Sequence, residues 1–280
     1  MKGNLNNAVP QIYVGCSFVD FCSLVFLLPG EMSAHEITEE IYKEVHSKVL
    51  HFIVTNQTTD LDKINNIEGV RDLQRLFSKD SKRYRDYYLN LDANNHAKKP
   101  KLLYEQVVVD GAPVDIYVYP DGSFVIISIT IRDCMGQVVE SVKVGSTGDN
   151  IIPQSTKRII SEWAPGTSVK SISTRYTIWG VVPRRIVLNN DVSLTPGKIT
   201  ISSTNTSGSY GIYPMILNGA TSWVSQNRTN PAKSHGEYTF TQYLVAYPAY
   251  SFSEGLRCTI YCPVYLNGVL GHQIYGDYVY

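Results

Sequence analysis

The feature that most constrains the fold is a change of hydrophobic period near residue 95. Before it, apolar residues recur every three or four positions: Ile37, Ile41, Val45, Val49 and Phe52 in one run, then Leu61, Ile64, Ile67, Val70, Leu73 and Phe77 in another. After it they alternate, and Ser123 to Arg132 sets Phe124, Ile126, Ser128 and Thr130 against Val125, Ile127, Ile129 and Ile131. A period near 3.6 lines one face of a helix, whereas a period of two separates the faces of a strand. The polar stretch Asp92 to Pro100, with Asn94-Asn95 and Lys98-Lys99-Pro100, lies between the two patterns and reads as a linker. The expected organisation is therefore an N-terminal region, 1–97, mostly helical after residue 31, followed by an antiparallel β-sandwich domain, 98–280.

Local signals refine both halves. Ser33-Ala34-His35-Glu36 forms a capping box that starts the first helix, since Ser33 and Glu36 satisfy each other's free backbone donors. The second apolar run contains Gly69, a weak point at which the helix can break. Lys79 to Leu91, with Tyr84, Tyr87, Tyr88 and Leu91 among Lys82, Arg83 and Arg85, suggests a third short helix. Downstream, strands are expected at Gln106 to Val109, Val114 to Tyr119, Ser123 to Arg132, Gln137 to Val144, Ser168 to Trp179 and Arg185 to Leu188. Others are expected at Lys198 to Ser203, Tyr213 to Leu217, Tyr238 to Tyr247, Leu256 to Leu266 and His272 to Tyr280. Pro120-Asp121-Gly122, Pro165-Gly166, Pro196-Gly197, Asn218-Gly219 and Asn267-Gly268 read as turns. Short strands with such turns and no intervening helices point to a sandwich, jelly roll or barrel, hence an α+β, mainly β fold.

Charge gives the chain little to steer with. Its 25 basic residues cancel 25 acidic ones, and charged residues make up 18% of the chain, so no net field draws it to nucleic acid or an anionic membrane. Asp80, Asp86 and Asp92 dilute the small basic face of the third helix, leaving no strong nucleic-acid signal. The run Cys16 to Leu28 is interrupted by Ser17, Asp20 and Ser23 and ends at Pro29-Gly30, too short to span a bilayer and without the charge or cleavage site of a signal peptide. The expected setting is cytoplasmic assembly in a host cell, or association with a virion.

No catalytic, cofactor or metal motif is present. His35, His46, His51, His96, His235 and His272 fall in no metal-binding spacing, and helix-surface positions are the default for His46 and His51. Ser234 and His235, adjacent on a strand, face opposite ways and make a poor nucleophile and base. Gly145-Ser146-Thr147-Gly148 lacks the lysine of a phosphate loop. Cys16, Cys22, Cys134, Cys258 and Cys262 are read as reduced and structural, because Cys258 and Cys262 on one strand lie roughly 13 Å apart at about 3.3 Å per residue. The chain is thus expected to be non-enzymatic, with no cofactor.

What stands out instead is tyrosine. Of 20 tyrosines, nine fall between Tyr238 and Tyr280. A phenol offers a large rigid apolar body with one polar tip, which suits buried protein contacts. Tyr238, Tyr243, Tyr247, Tyr250, Tyr261, Tyr265, Tyr275, Tyr278 and Tyr280 are therefore the candidate interface residues. The partner they imply is the chain itself, as a homo-oligomer. A carbohydrate-binding or receptor-binding head is the alternative, as is a pore-forming toxin using Ile199 to Gly208 as a membrane hairpin.

The stretch Val114-Asp115-Ile116-Tyr117-Val118-Tyr119-Pro120-Asp121-Gly122-Ser123-Phe124-Val125-Ile126-Ile127 resembles the early aromatic hairpin of cypovirus polyhedrins, which crystallise around virus particles in infected insect cells. Tyrosine richness and balanced charge are similar too. The resemblance implies a lattice-forming occlusion-body matrix whose unit is a β-sandwich trimer, with virus particles as partners, and it carries over no binding residue. Viral capsid jelly rolls share this kind of composition.

Overall fold

The computed structural model of the chain describes residues 39–79, 100–133, 135–141, 155–163, 170–180, 183–195, 197–213, 215–244, 247–262 and 270–279. The capping box at Ser33, the third helix, the linker, the run Cys16 to Leu28, the Gly145 loop, Cys134, and His35 and His96 lie outside them. Among the described residues the helices α1 (Glu39–Asn56), α2 (Leu61–Ile64) and α3 (Val70–Lys79) precede thirteen strands. These are β1 (Lys101–Val109), β2 (Ala112–Val118), β3 (Phe124–Arg132), β4 (Val138–Ser141), β5 (Ser155–Trp163), β6 (Lys170–Trp179) and β7 (Arg184–Thr195). They continue with β8 (Lys198–Asn205), β9 (Tyr210–Gly211), β10 (Met215–Gln226), β11 (Ala232–Leu244), β12 (Tyr247–Tyr261) and β13 (Leu270–Val279).

Every strand pair is antiparallel. Sheet A runs β1-β2-β3-β6-β7-β8, with β4 beside β3 and β9 beside β7; sheet B runs β10-β11-β12-β13-β5. The chain thus leaves sheet A after β4, adds β5 to the far edge of sheet B, and returns as β6 beside β3. The two sheets pack face to face around Ile127, Ile129, Ile131, Ile172, Tyr176, Ile186 and Leu188 of sheet A and Tyr238, Phe240, Leu256, Cys258, Ile260 and Ile274 of sheet B. The opposite face of sheet A, through Val109, Val114, Ile116, Phe124, Ile126 and Trp179, carries the helices, which bury Tyr42, Val45, Val49, Ile53, Ile64 and Leu73 against it. Strand β3 therefore has no solvent face. Ile126 looks to the helices while Ile127 looks to sheet B, which explains why both alternating sets of its sequence are apolar or small.

The helical layer shares one compact unit, Ile37–Tyr280, with the strands. A close backbone approach and a polar cluster fasten it. The β2–β3 turn is closed by Tyr119 N donating to Ser123 O at 2.8 Å, while Asp121 Oδ1 accepts from Ser123 N at 3.0 Å and Ser123 Oγ at 2.7 Å. Gly122 takes φ +88° there, and a Cβ on it would stand 3.0 Å from Lys43 Cα, so α1 lies directly on the turn. Asp110, in the β1–β2 turn, accepts from Thr59 N at 2.8 Å, from Thr59 Oγ1, from Arg175 Nη1 at 3.3 Å and from Arg185 Nη2 at 3.2 Å. Burial opposes the Asp110 charge, but the Thr59 bonds and the two guanidiniums outweigh it and hold its carboxyl below the usual carboxylate range.

Several expectations change. The inward stripe of α1 is Tyr42, Val45, His46, Val49, Leu50 and Ile53, whereas Ile41 is exposed. The apolar count has Val45 and Val49 right but takes Ile41 in place of Tyr42 and His46, which carry polar atoms yet pack as rings, edge to face with centroids 4.2 Å apart. His46 is consequently buried, not on the helix surface, while His51 is exposed as expected. The second apolar run divides into α2 and α3 with Gly69 at φ +87°, where a Cβ would meet Val45 Cγ2 at 2.7 Å. Asn218-Gly219 is not a turn: it sits inside β10, where the register shifts between Leu217 and Gly219.

Candidate functional site

Sheet B has one face in the sandwich core and one open face, and the open face is where the described chain gathers polar and aromatic side chains. Its strands pair so that Trp223 stands opposite His235, and His235 opposite Arg257. Asp277 of β13 occupies the next register position beyond Arg257. Cross-strand neighbours on one face lie about 5 Å apart, so this row is a continuous ladder from β10 to β12. Trp223 and His235 stack with ring centroids 5.2 Å apart and planes 10° from parallel, and the indole keeps 45% of its surface exposed.

The adjacent row pairs Glu237 with Gly255, and the row after that pairs Thr239 with Ser253. Gly255 contributes no side chain, which leaves an open trench of about 420 Å³ bounded by Trp223, His235, Glu237, Ser253 and Arg257. A volume of this size lies in the range of small-molecule sites. The rim beyond it is a ladder of hydroxyls: Thr239 Oγ1 and Ser253 Oγ lie 3.4 Å apart, Thr241 Oγ1 and Ser251 Oγ 2.7 Å apart.

His235 Nε2 also lies 2.7 Å from Ser225 Oγ. Burial, then the nearby charges of Arg257 and Lys233, lower the His235 pKa, so the imidazole is neutral at pH 7 and exchanges a neutral hydrogen bond with the serine. A hydroxyl beside a neutral imidazole is the start of a nucleophile and base pair. Among the described residues no carboxylate bonds His235 Nδ1 to orient it. Ser234, the neighbour considered from sequence, points the other way into the core. The sequence missed Ser225 because cross-strand register, not chain proximity, brings it to His235.

All the described candidate tyrosines belong to this sheet. Tyr238 and Tyr243 are on β11, Tyr247, Tyr250 and Tyr261 on β12, and Tyr275 and Tyr278 on β13; Tyr265 and Tyr280 lie outside the described residues. Tyr261 is 39% exposed. Tyr238 does not fit the interface role expected of it. Its side chain is fully buried, and its hydroxyl crosses to sheet A to donate to Val187 O at 2.5 Å. Gly236 makes room for that ring, because a Cβ there would come within 2.4 Å of the Tyr238 oxygen. Tyr238 is thus an intersheet tie, and a second tie is the buried ion pair of Arg184 on β7 with Glu254 on β12.

Cys258 and Cys262 are buried in the sandwich core, in keeping with a structural role. No cluster of three His, Cys, Asp or Glu suited to a metal occurs among the described residues. No helix among them is long and apolar enough to cross a membrane. No protein-family model, curated protein or solved structure matches this chain.

Proposed function

We propose that this chain is a non-enzymatic structural protein that works by surface contact, using the open face of sheet B to join further copies of itself. The observation that carries the reading is Tyr261, left 39% exposed at the end of β12, with Tyr275 of β13 sharing the open-face register of Thr259 beside it. Balanced charge supports it, since no long-range repulsion opposes association of identical surfaces. The likeness of the β2–β3 hairpin to cypovirus polyhedrins makes an occlusion-body matrix the special form of the proposal, and a viral coat is the other. The pore-forming alternative would need β8 to leave the sandwich core, where Ile199 and Ile201 are packed.

The test is the solution mass of the full-length protein by light scattering at pH 7, for the parent and for a Tyr243→Ser, Tyr261→Ser variant. Trimers or larger particles that the variant reduces to monomers are the expected result. A monomeric parent at high concentration refutes the proposal.

A further inference from the structure

The trench on sheet B calls for an occupant of its own, separate from self-association. We infer that it is a binding site for a neutral carbohydrate, with the Trp223 and His235 rings as its apolar wall and Glu237, Ser253 and Arg257 as its hydrogen-bonding groups. A sugar ring combines patches of C–H with closely spaced hydroxyls, so its site needs flat apolar surface beside strong acceptors and donors held at fixed positions. The trench offers both. Two stacked rings 5.2 Å apart form a rigid wall, and stacking holds the indole in one orientation before a ligand arrives. Glu237 supplies an exposed carboxylate able to accept from two adjacent hydroxyls, and charge-assisted bonds of this kind are the stronger ones. Ser253 supplies a hydroxyl that can donate or accept. Gly255, opposite Glu237, adds no side chain and leaves the floor of the trench open beside that carboxylate.

The same chemistry argues against other occupants. An anionic ligand such as a phosphate meets the Glu237 carboxylate, which opposes the Arg257 guanidinium across the trench. An acyl chain would bury the exposed Glu237 carboxylate against hydrocarbon at a cost that nothing in the chain repays. A neutral polyol donates to the Glu237 carboxylate and exchanges hydrogen bonds with the Ser253 hydroxyl. The site does not depend on the assembly reading. On the open face the trench lies between Tyr243 of β11 and Tyr261 of β12, so a self-contact spanning both tyrosines covers it, and a sugar and a second copy compete for one surface.

The experiment screens the full-length protein against an array of neutral oligosaccharides and then titrates the best ligand calorimetrically into four proteins: the parent, Trp223→Ala, Glu237→Gln and Tyr261→Ser. Expected are saturable binding by the parent, about tenfold or greater weakening in Trp223→Ala and in Glu237→Gln, and unchanged affinity in Tyr261→Ser. Circular dichroism confirms that each variant is folded, and Glu237→Gln, a substitution on an exposed strand position, keeps the test sharp if Trp223→Ala is not. No binding to any array member overturns the inference. So does binding that both trench variants retain, or a trench engaged only by a second copy of the chain, seen as a rise in mass that Trp223→Ala abolishes. A parent that binds sugar as a monomer sinks the assembly proposal and leaves this one standing.

Discussion

Acid should loosen the helical layer, and the reason is one histidine. His46 lies on the inner stripe of α1 with 4% of its surface exposed, and neither ring nitrogen has a hydrogen-bonding partner among the described residues. It packs against Tyr42 and lines a small cavity with Val49, Leu73, Trp179 and Gly180. Burial lowers its pKa from 6.5 to about 4; the Asp121 carboxylate in the β2–β3 turn pulls the other way without reversing the shift. The unfolded chain therefore takes up this proton before the folded one does. The His46 contribution is full above pH 6.5, falls as the pH drops towards 4, and levels off below that. The gap between those two values corresponds to about 3 kcal/mol, a large share of the stability of an ordinary domain. Urea unfolding of the parent and of His46→Met at pH 7, 6, 5 and 4 isolates the effect, because other groups titrate alike in both proteins. The parent should lose about 3 kcal/mol more than the variant across this range. Equal losses in the two proteins would show that burial of a neutral His46 does not set the acid response.

Other perturbations report on the remaining joints. Removing one partner of the buried Arg184–Glu254 pair, as in Glu254→Gln, should cost about 3–5 kcal/mol in urea unfolding, whereas replacing both by leucine should cost far less, because no uncompensated charge stays buried. Gly122→Ala should cost about 2 kcal/mol by the same assay, since alanine disfavours φ +88° and its Cβ presses on Lys43. Burial raises the Tyr238 phenol pKa above its ordinary value, so its contribution is full below about pH 10 and is lost as pH climbs through the raised value. Tyr238→Phe should flatten the alkaline branch of a stability profile recorded by circular dichroism. Loss of particles at high pH consequently reports on the sandwich as well as on any interface, and substitution of exposed tyrosines is the cleaner probe of assembly.

The period change near residue 95 was enough to separate helices from strands, and β3 was legible as alternation because its two faces pack against different layers. Strand β5 was not. Its sequence carries Lys157, Arg158 and Glu162, and such charges suit a strand at the edge of sheet B while hiding it from an apolar pattern search. Strand β10 was cut short because Asn218-Gly219 has the chemistry of a turn and here forms a bulge. The trench was beyond sequence altogether: Trp223, His235 and Arg257 are 12 and 22 residues apart, and only the β10–β11–β12 register makes them one row. Tyr238 shows the converse limit, since a tyrosine that ties two sheets together looks in sequence like one that meets a partner.

If the open face of sheet B joins the protein to its own copies, its solution mass at pH 7 reports that contact. Light scattering of the parent beside the Tyr243→Ser, Tyr261→Ser variant should show an oligomer that the two substitutions reduce to monomer while circular dichroism stays unchanged. A parent that remains monomeric, or an oligomer indifferent to both substitutions, would contradict the account.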